Sequence, residues 1–178
     1  MRRRKHVDFA LRRVAVRDRA RPRAVAVDKA LLTAEAAEVV ADPAVQLVVE
    51  LTGAAPAYEW VSAALRQGKD VVTANKALLS ERGEELFELA LRNGADLMFE
   101  ASVAGGIPII RSLRNGLVAN RVESLYGILN GTCNYILTQM EAEGRDFEDV
   151  LADAQQMGYA EAEPSLDVDG FDAQHKTG

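Results

Sequence analysis

Between Gln46 and Glu100, apolar runs and helical stretches alternate at short, regular intervals, and no other feature of the 178 residues restricts the fold as much. Gln46 to Leu51 is a continuous apolar run closed by Thr52-Gly53, the pattern of a strand buried on both faces of a parallel sheet. Pro56 to Arg66 carries Trp60, Val61, Ala64 and Leu65 at helical spacing, with Pro56 suited to a first turn and Gly68 to a C-terminal cap. Asp70 to Thr73 reads as the next strand, Lys76 to Arg92 as a second helix ended by Asn93-Gly94, and Ala95 to Glu100 as a further strand. That alternation implies right-handed crossovers and an open parallel sheet, whose ligands bind beyond the carboxyl ends of the strands. Chemistry is therefore sought at Thr52-Gly53, at Thr73-Ala74-Asn75-Lys76, and at Glu100 with the Gly105-Gly106 turn. Lys76 either contacts a bound anion or polar substrate or stands as a solvated first-turn lysine; spacing alone does not choose.

Ahead of this core, residues 2–10 read as the tail of an amphipathic helix, Leu11 to Arg17 as a short strand, and Asp18 to Arg23 as a polar turn. An apolar alternation, Ala24 to Val27, follows. Ala34 to Val40 is helical in composition, and Asp42-Pro43 ends it, because the residue before proline is pushed out of the helical region. After Gly106 the pattern changes. Ile107 to Leu117 reads as a helix, Val122 to Leu129 as a strand, Asn130-Gly131 as a turn into a helix from Thr132 to Glu141, and Phe147 to Met157 as a helix that Gly158 caps. The expected class is α/β: an incomplete Rossmann-type parallel sheet domain over residues 1–104, then part of an α+β domain over residues 105–178. A dinucleotide-binding sheet should open on a strand and a Gly-x-Gly-x-x-Gly turn that brings backbone amides to a pyrophosphate. This chain shows no such turn.

Composition removes several classes. With 48% hydrophobic and 27% charged residues the chain is an ordinary globular one, and no apolar run approaches the roughly 20 residues of a membrane span. The arginine-rich start lacks the apolar core and cleavage site of a secretory signal, so the expected compartment is the cytoplasm, with no membrane partner. Cys133 is the single cysteine, which excludes an internal disulfide, and the two histidines, His6 and His175, lie too far apart in sequence to favour zinc. Cys133 as a nucleophile would need an activating base, and a packed small residue is the simpler reading. Residues 1–29 hold eleven Lys or Arg against Asp8, Asp18 and Asp28, whereas the whole chain carries −6. A basic arm for nucleic acid is one reading. Against it, Val14, Ala15 and Val16 are strand-like and no aromatics interleave with the arginines to stack on bases, so no nucleic-acid partner is expected.

The segment from Gly158 to Lys176 packs five carboxylates, Glu161, Glu163, Asp167, Asp169 and Asp172, around one Pro and two Gly ahead of Lys176. A solvated acidic loop is one reading. The other uses spacing: in a helix starting near Asp167, Asp169, Asp172 and Lys176 share one face. A lysine held among carboxylates, with Glu161 brought in by the loop, is a proton-transfer site.

Val71-Val72-Thr73-Ala74-Asn75-Lys76, Phe99 to Pro108, Gly127-Ile128-Leu129-Asn130-Gly131-Thr132 and the Gly158–Lys176 stretch together resemble homoserine dehydrogenase, in the family's order and over nearly the whole chain. The resemblance implies NAD(P)-dependent interconversion of L-homoserine and L-aspartate 4-semialdehyde, on the route to threonine, methionine and isoleucine. It implies that residues 1–104 form a truncated NAD(P)-binding domain and residues 105–178 part of the catalytic domain. Position by position, Lys76 and Lys176 match the family's paired catalytic lysines, and Glu161 and Asp172 the carboxylates that hold the substrate amino group. Arg17, Thr52 and Lys76 match cofactor contacts, with Arg17 suited to a 2′-phosphate and so to NADP over NAD. Glu100, Val103, Gly105 and Ile107 resemble a sodium site built largely of backbone carbonyls, as a hard cation prefers. The intact family member is expected to be a homodimer. Departures lie at the ends and at Glu163, where aspartate is commoner. The implied chain is a fragment, inactive or weakly active, that binds its cofactor poorly. The rival readings are a non-catalytic small-molecule-binding module and a basic-armed interaction protein.

Overall fold

The computed structural model describes residues 8–177, so His6 and most of the helix expected over residues 2–10 lie outside the described residues. The chain divides into two compact units, one over residues up to 78 with 82–98, the other over 79–81 with 99 onward.

In the first unit, β3 (Leu47–Glu50), β4 (Asp70–Thr73) and β5 (Leu97–Met98) form a parallel sheet in the order β3-β4-β5, with Val48 beside Val71 and Val71 beside Leu97. Helix α2 (Ala57–Arg66) connects β3 to β4, and α3 (Lys76–Asn93) connects β4 to β5. Each helix ends on a glycine in the left-handed region, Gly68 at φ 69° and Gly94 at φ 65°, a conformation that a side chain would strain. Val61, Leu65, Val71 and Leu86 are fully buried between sheet and helices. Burying each such side chain favours the folded state by about 1.5–3 kcal/mol before chain entropy is counted. Val48 and Glu50 face this core, while Val49 is 54% exposed. The expectation that β3 is covered on both faces is thus corrected: alternate side chains point to opposite faces, and one face is packed.

The N-terminal part is sparser than its pattern suggests. β1 (Val14–Ala15) pairs in parallel with β2 (Leu32–Thr33), so the strand expected over Leu11 to Arg17 shrinks to the residues that find a partner. The alternation Ala24 to Val27 forms no ladder, and Val25 stands 72% exposed. Helix α1 (Ala36–Ala41) stops at Asp42, whose ψ of 115° is the extended backbone that Pro43 demands. Its last carbonyls are met by Lys69, only 6% exposed, whose Nζ donates to Val40 O and, at 2.7 Å, to Asp42 O. Lys69→Met keeps the buried stem and removes both bonds. It is expected to cost about 2–3 kcal/mol in urea unfolding, and a loss below about 0.5 kcal/mol would show the cap to be dispensable.

The second unit is built on an antiparallel pair, α5 (Gly131–Glu143) and α6 (Phe147–Gln156), joined through Gly144 at φ 65°. Ile136, Val150, Ala154 and Ala160 form its core, with Tyr135, Met140, Leu151 and Val168 packed around them. Three expectations change here. The helix expected over Ile107 to Leu117 is a short α4 (Ile109–Arg111) running into a wider turn over Ser112–Gly116, where the Leu117 N–H reaches Ser112 O at 2.9 Å. Val122 to Leu129 is not a strand: Tyr126 is 94% and Ile128 76% exposed, and a strand needs a ladder partner that local composition cannot supply. The single helix expected from Asp167 is two, α7 (Ser165–Val168) and α8 (Phe171–Thr177), separated by Gly170 at φ 83°. Asp169 therefore leaves the face it was expected to share.

Candidate functional site

At the strand ends of the first unit the organising group is a carboxylate. Glu50 closes β3 with its side chain turned inward, 4% exposed. Its Oε1 accepts from Thr52 N at 2.6 Å, Thr52 Oγ1 at 2.7 Å and Gly53 N at 3.2 Å, while Oε2 accepts from Thr73 Oγ1 at 2.8 Å. Thr73 Oγ1 in turn accepts from Asn75 N at 3.0 Å, and Asn75 Oδ1 caps α3 by accepting from Leu78 N at 3.1 Å. Lys76 is the first residue of that helix. Arg17 is exposed just beyond β1, whose last contact is Val16 N to Thr33 O. Of the expected cofactor residues, Thr52 belongs to this strand-end network, Lys76 opens the helix that the network caps, and Arg17 stands at another strand end.

Burial pushes the Glu50 carboxyl up, but the hydrogen bonds from Thr52, Thr73 and Gly53 outweigh it and hold the group below the ordinary glutamate value. A depressed folded-state value stabilises fully above the unfolded-state value and stops doing so as pH falls through the folded one. Urea unfolding followed across the acid range should therefore show a loss of stability in that window that is smaller in Glu50→Gln. Equal losses in both proteins would exclude the assignment.

In the second unit the site grows from the start of α5. Asn130 is 9% exposed and caps the helix, its Oδ1 accepting from Cys133 N at 2.7 Å. Its Nδ2 donates to Asp167 Oδ1 at 2.7 Å and to Asp172 Oδ2 at 2.9 Å. Asp172 and Lys176 lie one turn apart on α8, and Lys176 Nζ donates to Asp172 Oδ2 and to Leu129 O, each at 2.5 Å. The two side chains are 11% and 20% exposed. Two of the ammonium's three N–H groups are placed, and the third is uncommitted among the described residues. A hollow of ≈ 500 Å³ lined by Gly131, Thr132, Tyr135, Gly158 and Tyr159 opens at the start of α5. Thr132 Oγ1 ties its two sides by donating to Tyr159 O at 2.8 Å.

The other expected residues fall as follows. Glu161 is exposed on the segment after α6, where its carbonyl accepts from Gln155 Nε2 at 3.1 Å; it makes no ion pair with Lys176. Glu100 opens a short 3-10 turn over Glu100–Ser102. Its two carboxylate oxygens accept from Ile110 N and Arg111 N, each at 3.0 Å, at the head of α4. Val103, Gly105 and Ile107 follow on a turn with Ala104 at φ 49° and Gly106 at φ 85°. Among the described residues no group of three or more His, Cys, Asp or Glu side chains is placed to hold a metal ion. Burial, with Asp167 and Asp172 nearby, pushes the Cys133 thiol up, so its Sγ stays protonated and donates to Asp167 O at 3.1 Å.

Sequence reasoning missed Glu50 and Asn130 as site residues and gave Asp167 no role beyond the start of the expected helix. The available signals were a lone acid ending an apolar run two residues before a threonine, and an asparagine ahead of Gly-Thr where a cap would sit.

Two family models match in tandem: "Homoserine dehydrogenase, NAD binding domain" over residues 1–100 and "Homoserine dehydrogenase" over residues 108–178. A homoserine dehydrogenase of Synechocystis sp. is 48% identical over 164 residues, which are 92% of this chain and 38% of that protein. One from Pseudomonas aeruginosa is 52% identical over 146 residues, 82% of this chain and 34% of that protein. Among solved structures, a homoserine dehydrogenase from Thiobacillus denitrificans superposes with a TM-score of 0.82 at 50% identity, covering 93% of this chain and 38% of that one. A hyperthermophilic archaeal homoserine dehydrogenase in complex with NADPH gives a TM-score of 0.75 at 34% identity, covering 80% and 44%. The chain thus spans about a third to two fifths of the length of the curated relatives it matches.

Proposed function

The chain belongs to the homoserine dehydrogenase family, and from that premise we propose that it serves the NAD(P)-dependent interconversion of L-homoserine and L-aspartate 4-semialdehyde in threonine, methionine and isoleucine biosynthesis. The observation that carries this reading is the Lys176 ammonium, fixed by Asp172 and Leu129 O at the head of α5 with an N–H to spare.

When bound, the nicotinamide cofactor supplies or accepts the hydride. In the first unit, Thr52 and Lys76 at the strand ends would contact it, and Arg17 would pair with a 2′-phosphate, favouring NADP. In the second unit, Lys176 places its remaining N–H on the substrate carbonyl oxygen and gives up a proton as the alkoxide forms, with the reverse transfer in oxidation. Asp172 orients the lysine, and with Glu161 supplies the negative charge that a substrate ammonium requires. Lys76 is assigned proton transfer beside its cofactor contact. The carbonyls of Val103, Gly105 and Ile107 with Glu100 suit sodium, since both Glu100 oxygens keep acceptor capacity beyond the N–H bonds they already accept. Residues 1–104 are assigned to the cofactor and 105–178 to the substrate, in a cytoplasmic homodimer with small-molecule partners and no nucleic acid. No helix among the described residues is long and apolar enough to cross a membrane.

The test is NADPH oxidation by the purified chain with aspartate 4-semialdehyde, beside an NADPH fluorescence titration. Slow turnover that requires both compounds is the expected result. Saturable NADPH binding with no turnover would favour a non-catalytic binding module, and neither binding nor turnover would sink both readings.

A further inference from the structure

The geometry points to Glu50 as a positioning residue: a buried carboxylate that fixes the Thr52-Gly53 loop and the start of α3 in the single arrangement that receives the cofactor. The inference rests on the cofactor reading above and adds a residue to which that reading gives no role.

Glu50 is the group through which two strand ends meet. Through Oε1 it turns the N–H groups of Thr52 and Gly53 inward, and the Thr52 hydroxyl with them. That hydroxyl also accepts from Ala54 N at 3.2 Å, so the bend after β3 is held at consecutive residues. Through Oε2 it accepts from the fully buried Thr73 hydroxyl, which leaves the Thr73 oxygen lone pairs facing Asn75 N. The hydroxyl is thereby polarised to accept, and Asn75 is set to cap the helix that begins at Lys76. A neutral side chain of the same shape does this less well. With Gln at 50, an amide NH₂ would face either the Thr52 and Gly53 donors or the Thr73 hydroxyl, and in the second case the Thr73 proton loses the acceptor it has at Oε2. Bonds to a carboxylate are also roughly twice as strong as neutral ones. A hydrophobic core needs no such group at this position, since Val48 and Val71 already fill the neighbouring sites. The arrangement fixes loops, and those loops lie at the carboxyl ends of parallel strands, where an open sheet binds its ligand.

The experiment compares Glu50→Gln, Thr73→Val and Thr73→Ser with the unsubstituted chain by two readouts: amide hydrogen exchange without ligand, and NADPH affinity by fluorescence. Glu50→Gln is expected to speed exchange at Thr52, Gly53 and Asn75 by about tenfold or more, with Leu65 and Leu86 amides little changed, and to weaken NADPH binding about tenfold. Thr73→Val should loosen Asn75 with a smaller loss of affinity, and Thr73→Ser, which keeps the hydroxyl, should restore both; this pair decides the matter if Glu50→Gln does not fold. Unchanged exchange at the strand ends would overturn the positioning role, as would looser strand ends with undiminished NADPH affinity. Failure of the unsubstituted chain to bind NADPH is a separate result that removes the cofactor reading and, with it, the cofactor half of this one.

Discussion

Lys176→Met is expected to lower kcat for NADPH-dependent reduction of aspartate 4-semialdehyde about a thousandfold while leaving the Kd for NADPH within about twofold. The reasoning starts from the two bonds that hold the ammonium. Asp172 Oδ2 and Leu129 O orient Nζ from one side, so the remaining N–H has a fixed direction and does not have to be recruited when charge develops on the substrate oxygen. Methionine matches the stem in length and flexibility but offers no donor. In the proposed role, removing the donor to a developing alkoxide, together with its proton, combines losses that are each about a hundredfold or more when made alone. Stability should fall by about 1–2 kcal/mol, because Asp172 loses the Lys176 ammonium yet keeps the Asn130 amide, and the lysine is a fifth exposed. Lys176→Arg keeps the charge but spreads it over a planar fork that cannot place one N–H where Nζ sits, so little activity should return. Steady-state kinetics beside a binding titration separate the two parameters. A kcat within tenfold of the unsubstituted protein would remove Lys176 from the chemistry.

What was legible in the sequence was what neighbours in the chain decide. β4 begins and ends where the pattern places it, and α3 starts after the Asn75 cap and stops at Gly94, because caps, glycines and apolar spacing act within a turn or two. The pairing of Lys176 with Asp172 belongs to the same class, being an i,i+4 contact that any helix through both residues would make. The remainder depends on partners far along the chain. Glu50 meets Thr73 across 23 residues, and Asn130 meets Asp167 and Asp172 across 37 and 42. Neither separation leaves a trace in local spacing. Val122 to Leu129 is rich in residues that strands favour, but composition states only that a strand is compatible with them, and the ladder that would make it one must come from elsewhere. At Asp169-Gly170 the local signal was present and outweighed: Gly170 is the natural place for φ 83°, and it divides the helix that charge spacing alone extends through it.

Asn130→Ala is expected to destabilise the second unit by about 3 kcal/mol, the largest stability effect of any single polar substitution in it. The side chain acts in two directions. Its Oδ1 caps α5, a role worth about 1 kcal/mol at an exposed helix end. Its Nδ2 spans Asp167 and Asp172, supplying the hydrogen bonds that let two carboxylates approach one amide, and Asn130 itself is only 9% exposed. Losing that donor leaves both acids short of a partner and frees Asp172 to move relative to Leu129 O, the other anchor of Lys176. Asn130→Asp tells the two roles apart. It retains a cap acceptor, and aspartate is as good a cap as asparagine, so if capping were the whole contribution the protein would be nearly as stable as the unsubstituted one. If the clamp matters, a third carboxylate now faces Asp167 and Asp172 without an N–H between them, and the loss should equal or exceed that of alanine. We expect the second result, read as the urea midpoint of the transition that reports α5 and α6. A midpoint for Asn130→Asp close to that of the unsubstituted chain would show that the Asn130 amide does not hold the acidic pair, and the orientation of Lys176 would then rest on Asp172 and Leu129 alone.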